Sequence, residues 1–174
     1  AITWTVAGNI RYQAGGNIQL GLIDARSAAD RNNAGLIEQE SWGSVTLVSG
    51  ADISDADANN SSLDIYAKAL RISAANNIGV LDEDSAKAID IEAITLAAET
   101  IAAGGINILD STDLTVGSVA GLTIKRVAVD ASASTYPDPV EDALNGLSTA
   151  GSGTIVVKTT DGDLLIDQAL SANN

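Results

Sequence analysis

Short runs of the form apolar-x-apolar recur along the chain and constrain its fold more than any other feature. A period of two residues is typical of a β-strand with one buried face. Most of the runs occur as closely spaced pairs. The pairs are 63–65 with 70–72, 89–91 with 94–96, 106–108 with 114–116, 122–124 with 127–129, and 155–157 with 164–166, and further runs lie at 10–12, 18–20 and 45–47.

Runs this short cannot form a stable hairpin or isolated sheet. They are stable when each one stacks on its equivalent in the next coil, so that inward Ile, Leu and Val form columns. The first members of the pairs begin at positions 63, 89, 106, 122 and 155. This spacing predicts an all-β fold, a parallel β-helix (β-solenoid) with coils of roughly 16 to 26 residues.

An antiparallel β-sandwich is the competing interpretation, because it also contains many short strands. Its turns are commonly Asn-Gly or Asp-Gly dipeptides between strands of about 5–6 residues. Here the runs are shorter, and the corners read AGG, GSVAG, NNIG and TTDGD. The parallel β-helix is therefore the favoured prediction.

Three segments call for separate interpretation. Residues 26–41 and 130–153 are long and polar, and we predict that they are insertions at corners of a single module spanning 1–174. Within the second of these, VEDALNGL (140–147) predicts about two helical turns. The Ala-rich stretch 86–99 has alternating rather than helical spacing of its apolar residues, so it predicts strand.

Composition excludes several classes of function. The chain of 174 residues has a formal net charge of −14 and contains no Cys or His. Such a polyanion disfavours nucleic acids as partners, and the missing residue types exclude disulfides, thiolate metal sites and His-based catalysis. No apolar run approaches the ~20 residues of a membrane helix, which predicts no membrane insertion in this segment.

One acidic stretch suggests a cation site. Asp55, Asp57 and Asn59 have the D-x-D-x-N spacing that opens a calcium loop. Asn60 replaces the usual Gly and Tyr66 the bidentate Glu, so the stretch is not an EF-hand. A surface Ca²⁺ site at these three residues remains a prediction, whereas a second acidic cluster at 82–84 is interpreted as a solvated corner.

The stretch GGINILDSTDLTVGSVAGL places two carboxylates, Asp110 and Asp113, between two apolar runs. A polysaccharide-acting site on a β-helix would also need Arg or Lys, and none flanks this pair closely, although Lys125 and Arg126 could lie on the adjacent coil. In the equivalent pair IDIEAITL the corner is only Glu-Ala. We therefore interpret Asp110 and Asp113 as permitted corner residues, and we predict no catalytic residue and no organic cofactor.

Aromatic residues are few and scattered along the sequence. Trp42, directly after the first predicted insertion, is the best single candidate for contact with a glycan or protein. The alternative is that this side chain seals the insertion onto the stack.

Several motifs resemble a known family. The segments NNIG (76–79), GGINI (104–108), LTVGSV (114–119) and GDLLI (162–166) look like the repeats of filamentous-haemagglutinin-like giant bacterial surface proteins. The resemblance covers about two thirds of the chain. It implies a right-handed parallel β-helix, export to the bacterial cell surface, and tandem modules.

The combined prediction is a non-enzymatic structural module of an extracellular surface fibre. The end of the chain, DLLIDQALSANN, would lead naturally into its start, AITWTVAGN, and neither looks like a cap. The expected partner is therefore another copy, stacked head to tail, in a longer array. The alternatives are an adhesin module that binds glycan or protein through its insertions, and a β-helix polysaccharide-acting enzyme.

Overall fold

Parallel strand pairing dominates the structure, a computed structural model that describes residues 2–32, 38–56, 62–81, 87–127, 130, 132–136 and 140–172. Within these ranges there are eighteen strands, of which twelve form one sheet with parallel neighbours. The strands are β1 (Ile2–Trp4), β2 (Ile10–Ala14), β3 (Ile18–Leu20), β4 (Leu22–Asp24), β5 (Val45–Ser49), β6 (Ile53–Asp55), β7 (Ile65–Ala74), β8 (Ile89–Thr100), β9 (Ile106–Asp110), β10 (Leu114–Val116), β11 (Ser118–Val119), β12 (Ile124–Val127), β13 (Ala133–Tyr136), β14 (Leu144–Asn145), β15 (Leu147–Thr149), β16 (Ile155–Thr159), β17 (Leu164–Ile166) and β18 (Leu170–Ala172). The helical segments are α1 (Ala28–Asn32) and a 3₁₀ turn (Gln39–Ser41).

An unbroken series of paired residues runs from one edge of the sheet to the other and defines six levels. Its members, in order of level, are Ile10, Val45, Leu70, Leu96, Val116 and Ile166. The four inner members are 0% exposed, whereas Ile166 is 44% exposed. Parallel strands in register therefore place one aliphatic side chain on top of the next, as the sequence pattern predicts.

Two further columns share this arrangement. The second column is Tyr12, Leu47, Ile72, Ala98, Leu147 and Leu170, and the third column is Ile18, Ile53, Ile78, Ile106 and Ile155. Their inner members belong to the same buried cluster as the first column, so the columns face one common core.

The parallel all-β prediction is confirmed, and the antiparallel sandwich is wrong for the main sheet. Residues 86–99 do not form a helix where they are described, because β8 runs from Ile89 to Thr100. Some predicted pairs of runs are joined into one strand. The runs 89–91 and 94–96 both lie in β8, which pairs in turn with β9, β10 and β15 along its length.

The predicted spacing of coils is only partly correct. Ile65 pairs with Ile91, as the 26-residue spacing predicts. Ile106 instead pairs with Ile78 and Ile155, on a different column from Ile91. The spacings of 17 and 16 residues therefore do not measure successive coils, because alternation marks inward residues without saying which side of the core they face.

Two local predictions are wrong. The run at 122–124 does not join the stack: β12 pairs antiparallel with β13 in a separate hairpin, and 128–129 of its companion run lie outside the described residues. The helix predicted at 140–147 is absent from those described residues. Leu144–Asn145 and the start of Leu147–Thr149 form strands there, because pairing with β11 and β8 overrides local propensity.

The chain leaves the main sheet in two places. We call the residues between Asp24 and Val45 outer segment 1, and those between Val116 and Leu147 outer segment 2. The first contains the predicted insertion 26–41. The second starts and ends earlier than the predicted insertion 130–153, since β15 already pairs with β8 and β18.

Asx side chains stack at the corner that precedes the third column. Asn17 Oδ1 accepts the backbone N–H of Asp52 at 3.1 Å, and Asp52 Oδ1 accepts that of Asn77 at 3.0 Å. Asn77 Oδ1 in turn accepts the N–H of Gly105 at 3.1 Å. Each level thus satisfies a corner donor of the next level.

The ladder stops at Gly105 because no side chain fits there. A Cβ at this position would lie 2.5 Å from the carbonyl oxygen of Thr154, and would also meet the side chain of Leu81. The preceding Gly104 has φ +89°, a backbone conformation that favours glycine. This explains the Gly-Gly pair that opens the GGINI motif.

The position of a leucine within its column should determine the cost of truncating it. Leu147 is 0% exposed, and its register partner Leu170 is 48% exposed. Leu147→Ala should lower the free energy of unfolding by about 2–5 kcal/mol, because it leaves a cavity between two levels. The matched change Leu170→Ala should cost roughly 1 kcal/mol or less. Urea unfolding of the monomeric chain measures both, and equal losses would contradict the stacking order.

Candidate functional site

The two ends of the stack carry most of the exposed large apolar side chains. Nine of the thirteen such residues in the described ranges lie in the first level or in β16 to β18. They are Ile2, Trp4, Val6, Tyr12, Val156, Leu164, Leu165, Ile166 and Leu170. Concentrated apolar exposure of this kind marks interaction surfaces.

The same two ends expose open strand edges. In the described chain, β1, β2 and β3 pair only with β4, β5 and β6, respectively. At the other end, β16, β17 and β18 pair only with β9, β10 and β15. An edge strand presents backbone donors and acceptors to a further strand. The two open ends are therefore the candidate functional site.

The predicted cation site is only partly described. Asp55 is the last residue of β6, whereas Asp57 and Asn59 lie outside the described residues, as does the 82–84 cluster. Among the residues that are described, no group of three His, Cys, Asp or Glu side chains is arranged to hold a metal ion. Calcium binding at Asp55, Asp57 and Asn59 thus stays a prediction.

Carboxyl groups gather where the chain passes from β6, which ends at Asp55, to β7, which begins directly after Asp64. Asp64 is 3% exposed, and its Oδ2 accepts the backbone N–H of Asp90 at 3.1 Å. Burial raises the pKa of Asp64 to about 8, and the neighbouring Asp55 and Asp90 carboxyls add to this effect. A hydrogen bond joins the side chains of Asp64 and Asp55, and the raised pKa of Asp64 keeps that carboxyl largely protonated at neutral pH.

Asp110 lies inside the core rather than at a permissive corner. It pairs with Ile91 in an inward column that continues from Ile65, and it is 0% exposed. Its carboxylate accepts the backbone N–H groups of Ala93 at 3.0 Å and Thr112 at 2.7 Å. Burial raises its pKa to about 7.

The interpretation of Asp110 as a permitted corner residue is therefore wrong. The environment of Asp113 differs from that of Asp110. Asp113 is exposed and accepts the backbone N–H of Asp163 at 2.6 Å. Lys125 lies in the separate β12–β13 hairpin. The signal for Asp110 was present in the sequence, since Ile106, Ile108 and Asp110 alternate in phase.

Trp42 seals outer segment 1 against the sheet. The residue is 5% exposed, its ring meets that of Tyr66 edge-on at 6.0 Å, and its indole N–H donates to Asp30. Of the two interpretations of this residue, the structure supports the sealing one.

Comparison with known proteins gives no family assignment. No family model matches the chain, and no curated protein or solved structure is significantly similar to it. The resemblance to filamentous-haemagglutinin-like repeats stays a prediction. In the described ranges, no helix has the length and apolar character needed to cross a bilayer.

The buried carboxyls should make stability fall as pH rises. The pKa values of Asp64 and Asp110, about 8 and about 7, exceed the ~3.9 of an unfolded Asp. Their contribution is therefore complete below about pH 4 and is lost as pH rises through 7–8. Burial tends to raise the pKa of Asp24, but the interactions with Arg26 are stronger, and the pKa is lowered overall. Asp24 therefore makes stability rise with pH, but only below about pH 4. In urea unfolding, the free energy of unfolding should fall by on the order of a few kcal/mol between pH 5 and pH 9.

Asp110→Asn should remove part of this pH dependence. The Ala93 and Thr112 N–H groups bind different oxygens of the Asp110 carboxyl, so Asn keeps an acceptor for only one of them, and its amide does not titrate. The loss of stability between pH 5 and 9 should become smaller than in the wild-type chain. Asp113→Asn is the matched control, because it removes one exposed charge in the same corner. A pH profile of Asp110→Asn that coincides with the wild-type profile would exclude the assigned role.

Proposed function

We propose that this chain is a structural module of an extracellular bacterial surface fibre, in which right-handed β-solenoid levels stack end to end. One observation carries the proposal: the column that contains Leu47, Ile72 and Leu147 is buried in its middle levels and exposed at both ends. Leu47, Ile72 and Leu147 are 0% exposed, whereas the terminal members Tyr12 and Leu170 are 36% and 48% exposed. A further level at either end would bury these groups.

The order of the strands supports a helical winding. Level one contains β1, β2 and β3, and each of them pairs in parallel with β4, β5 or β6 of level two, in the same order. Repeating one order along the chain, with parallel pairing at each position, is what winding around a common core produces. The inward side chains of all these columns form one cluster, which fits a closed cross-section.

Because the strands are parallel, the two ends of the stack differ, and stacking that preserves parallel pairing is head to tail. Head-to-tail contacts do not close on themselves, so they extend into filaments. In such a rod each level contacts its neighbours through backbone hydrogen bonds and aliphatic columns, and rigidity follows from this repetition. The right-handed winding, the bacterial surface and the extracellular setting of the proposal rest on the resemblance of GGINI, LTVGSV and GDLLI to haemagglutinin-type repeats.

The ligand-binding alternative gains no specific support from the outer segments. Their aromatic side chains turn toward the sheet: Trp42 is buried, and the Tyr136 hydroxyl donates to Gln13 at 2.8 Å. The contacts of the outer segments therefore favour the structural role.

Sedimentation of the isolated chain tests the end contacts. Tyr12 and Leu170 terminate the same column at opposite ends, so Tyr12→Lys and Leu170→Lys each put a charge on one end only. The wild-type chain should associate as concentration rises, and each variant alone should stay monomeric. An equal mixture of the two variants should form dimers and nothing larger, because only one pair of intact ends remains.

Ile101→Lys is the matched control, since Ile101 is 61% exposed but lies in the corner after β8, away from both ends. It should associate like the wild-type chain. A wild-type chain that stays monomeric at every concentration would exclude end-to-end stacking. Dimers of Tyr12→Lys or Leu170→Lys alone would show contact between like ends and exclude the head-to-tail arrangement.

A further inference from the structure

A column of outward side chains lies beneath outer segment 1. Trp4, Asp24, Tyr66 and Glu92 pair successively across the first four levels. Strand pairing alone connects each level only to its nearest neighbours. Any group that contacts several members of this column therefore joins levels that the sheet does not join directly.

Outer segment 1 contacts the first two levels through one arginine. The Arg31 guanidinium lies over the Trp4 ring, 4.6 Å from its centre. The Nε of Arg31 also donates to Asp24 Oδ2 at 3.2 Å, and another of its nitrogens donates to the carbonyl oxygen of Thr5. Asp24 is 2% exposed, so this contact is shielded from water.

The same segment reaches the third and fourth levels. The Arg26 guanidinium stacks 3.8 Å from the centre of the Tyr66 ring, against which Trp42 also packs. Gln39 Nε2 donates to Glu92 Oε1 at 3.1 Å and to Thr112 Oγ1, ahead of β10, at 3.2 Å. Outer segment 1 thus holds a side chain on each of four successive levels.

Outer segment 2 also joins levels that are not neighbours, over the face formed by β2, β5 and β7. Arg11, Thr46 and Arg71 form an outward column across levels one to three. Glu141 accepts two hydrogen bonds from Arg11, at 2.9 and 2.7 Å, and lies 3.4 Å from Arg71 Nη1. One carboxylate therefore spans three levels, over a Thr46 that is 1% exposed.

Burial makes this bridge costly to break by removing one partner. The side chains of Arg11 and Arg71 are 2% and 9% exposed, and that of Glu141 is 26% exposed. Removing one partner of a buried charge pair leaves the other charge uncompensated. Tyr136 adds a second contact, because Arg11 lies 5.6 Å from its ring centre and its hydroxyl donates to Gln13.

We propose that the two outer segments are axial clamps that make levels one to four open together instead of one level at a time. A bare stack frays from its end, because the edge strand β2 is held only by β5. The hydrogen bonds from Arg11 to Glu141, together with the ion pair between Glu141 and Arg71, tie this edge strand to level three. The inference rests on contacts within one chain and holds whether or not chains stack end to end.

Native-state hydrogen exchange of the full chain, read by mass spectrometry, tests the clamp. Glu141→Gln keeps the shape of the side chain but removes its charge. Amides of β2 should then exchange at least about tenfold faster, while those of β7 and β16 change little, because only the edge level is released. Glu40→Gln is the matched control. It removes one charge from outer segment 1 at a pair with Lys68 that is exposed, so protection of β2 should not change.

Two results would overturn the proposal. One is faster exchange in β2 that is no larger for Glu141→Gln than for Glu40→Gln. The other is an equal loss of protection in β2, β7 and β16, which would indicate general destabilisation. Tyr136→Phe, which deletes only the hydroxyl bonded to Gln13, should give a smaller increase in exchange that is confined to β2. If Glu141→Gln does not fold, Tyr136→Phe takes its place and is compared with Glu40→Gln by the same two criteria.

Discussion

Contact between aliphatic side chains at equivalent positions of successive parallel strands holds this structure together. A strand of three to five residues such as β1 or β10 has no stability of its own. It becomes stable because Leu96, for example, packs between Leu70 below and Val116 above. The corners, the outer segments and the buried acids all depend on this register, since each is positioned by the strand that precedes it.

Period-two alternation made the inward residues and the parallel all-β class predictable from the sequence. It also identified β8 in an Ala-rich stretch with high helix propensity. It could not say which column a run joins, because each column has the same periodicity. Ile108 pairs with Ile89, whereas Ile106, two residues earlier in the same strand, pairs with Ile78. Such assignments depend on corner geometry, which the pattern of apolar residues does not encode.

The polar side chains were harder to predict, for two different reasons. Asp110 continues the alternation of its strand, but carboxyl side chains are seldom fully buried, so alternation alone does not predict an inward Asp. Arg11 and Arg71 face outward, as charged residues should. Glu141, 130 residues from Arg11, lies against both of their side chains. The periodicity of a polar insertion does not predict a contact between residues so far apart in the sequence.

The Asx ladder has a direction, and this has a consequence for how the chain acquires its structure. Asn17, Asp52 and Asn77 each offer a side-chain oxygen to the level that follows in the sequence. A completed level is thus a template with an acceptor already in place for the residues that come next. Folding can therefore proceed vectorially from the first level, as the polypeptide emerges, without waiting for the last residues to appear.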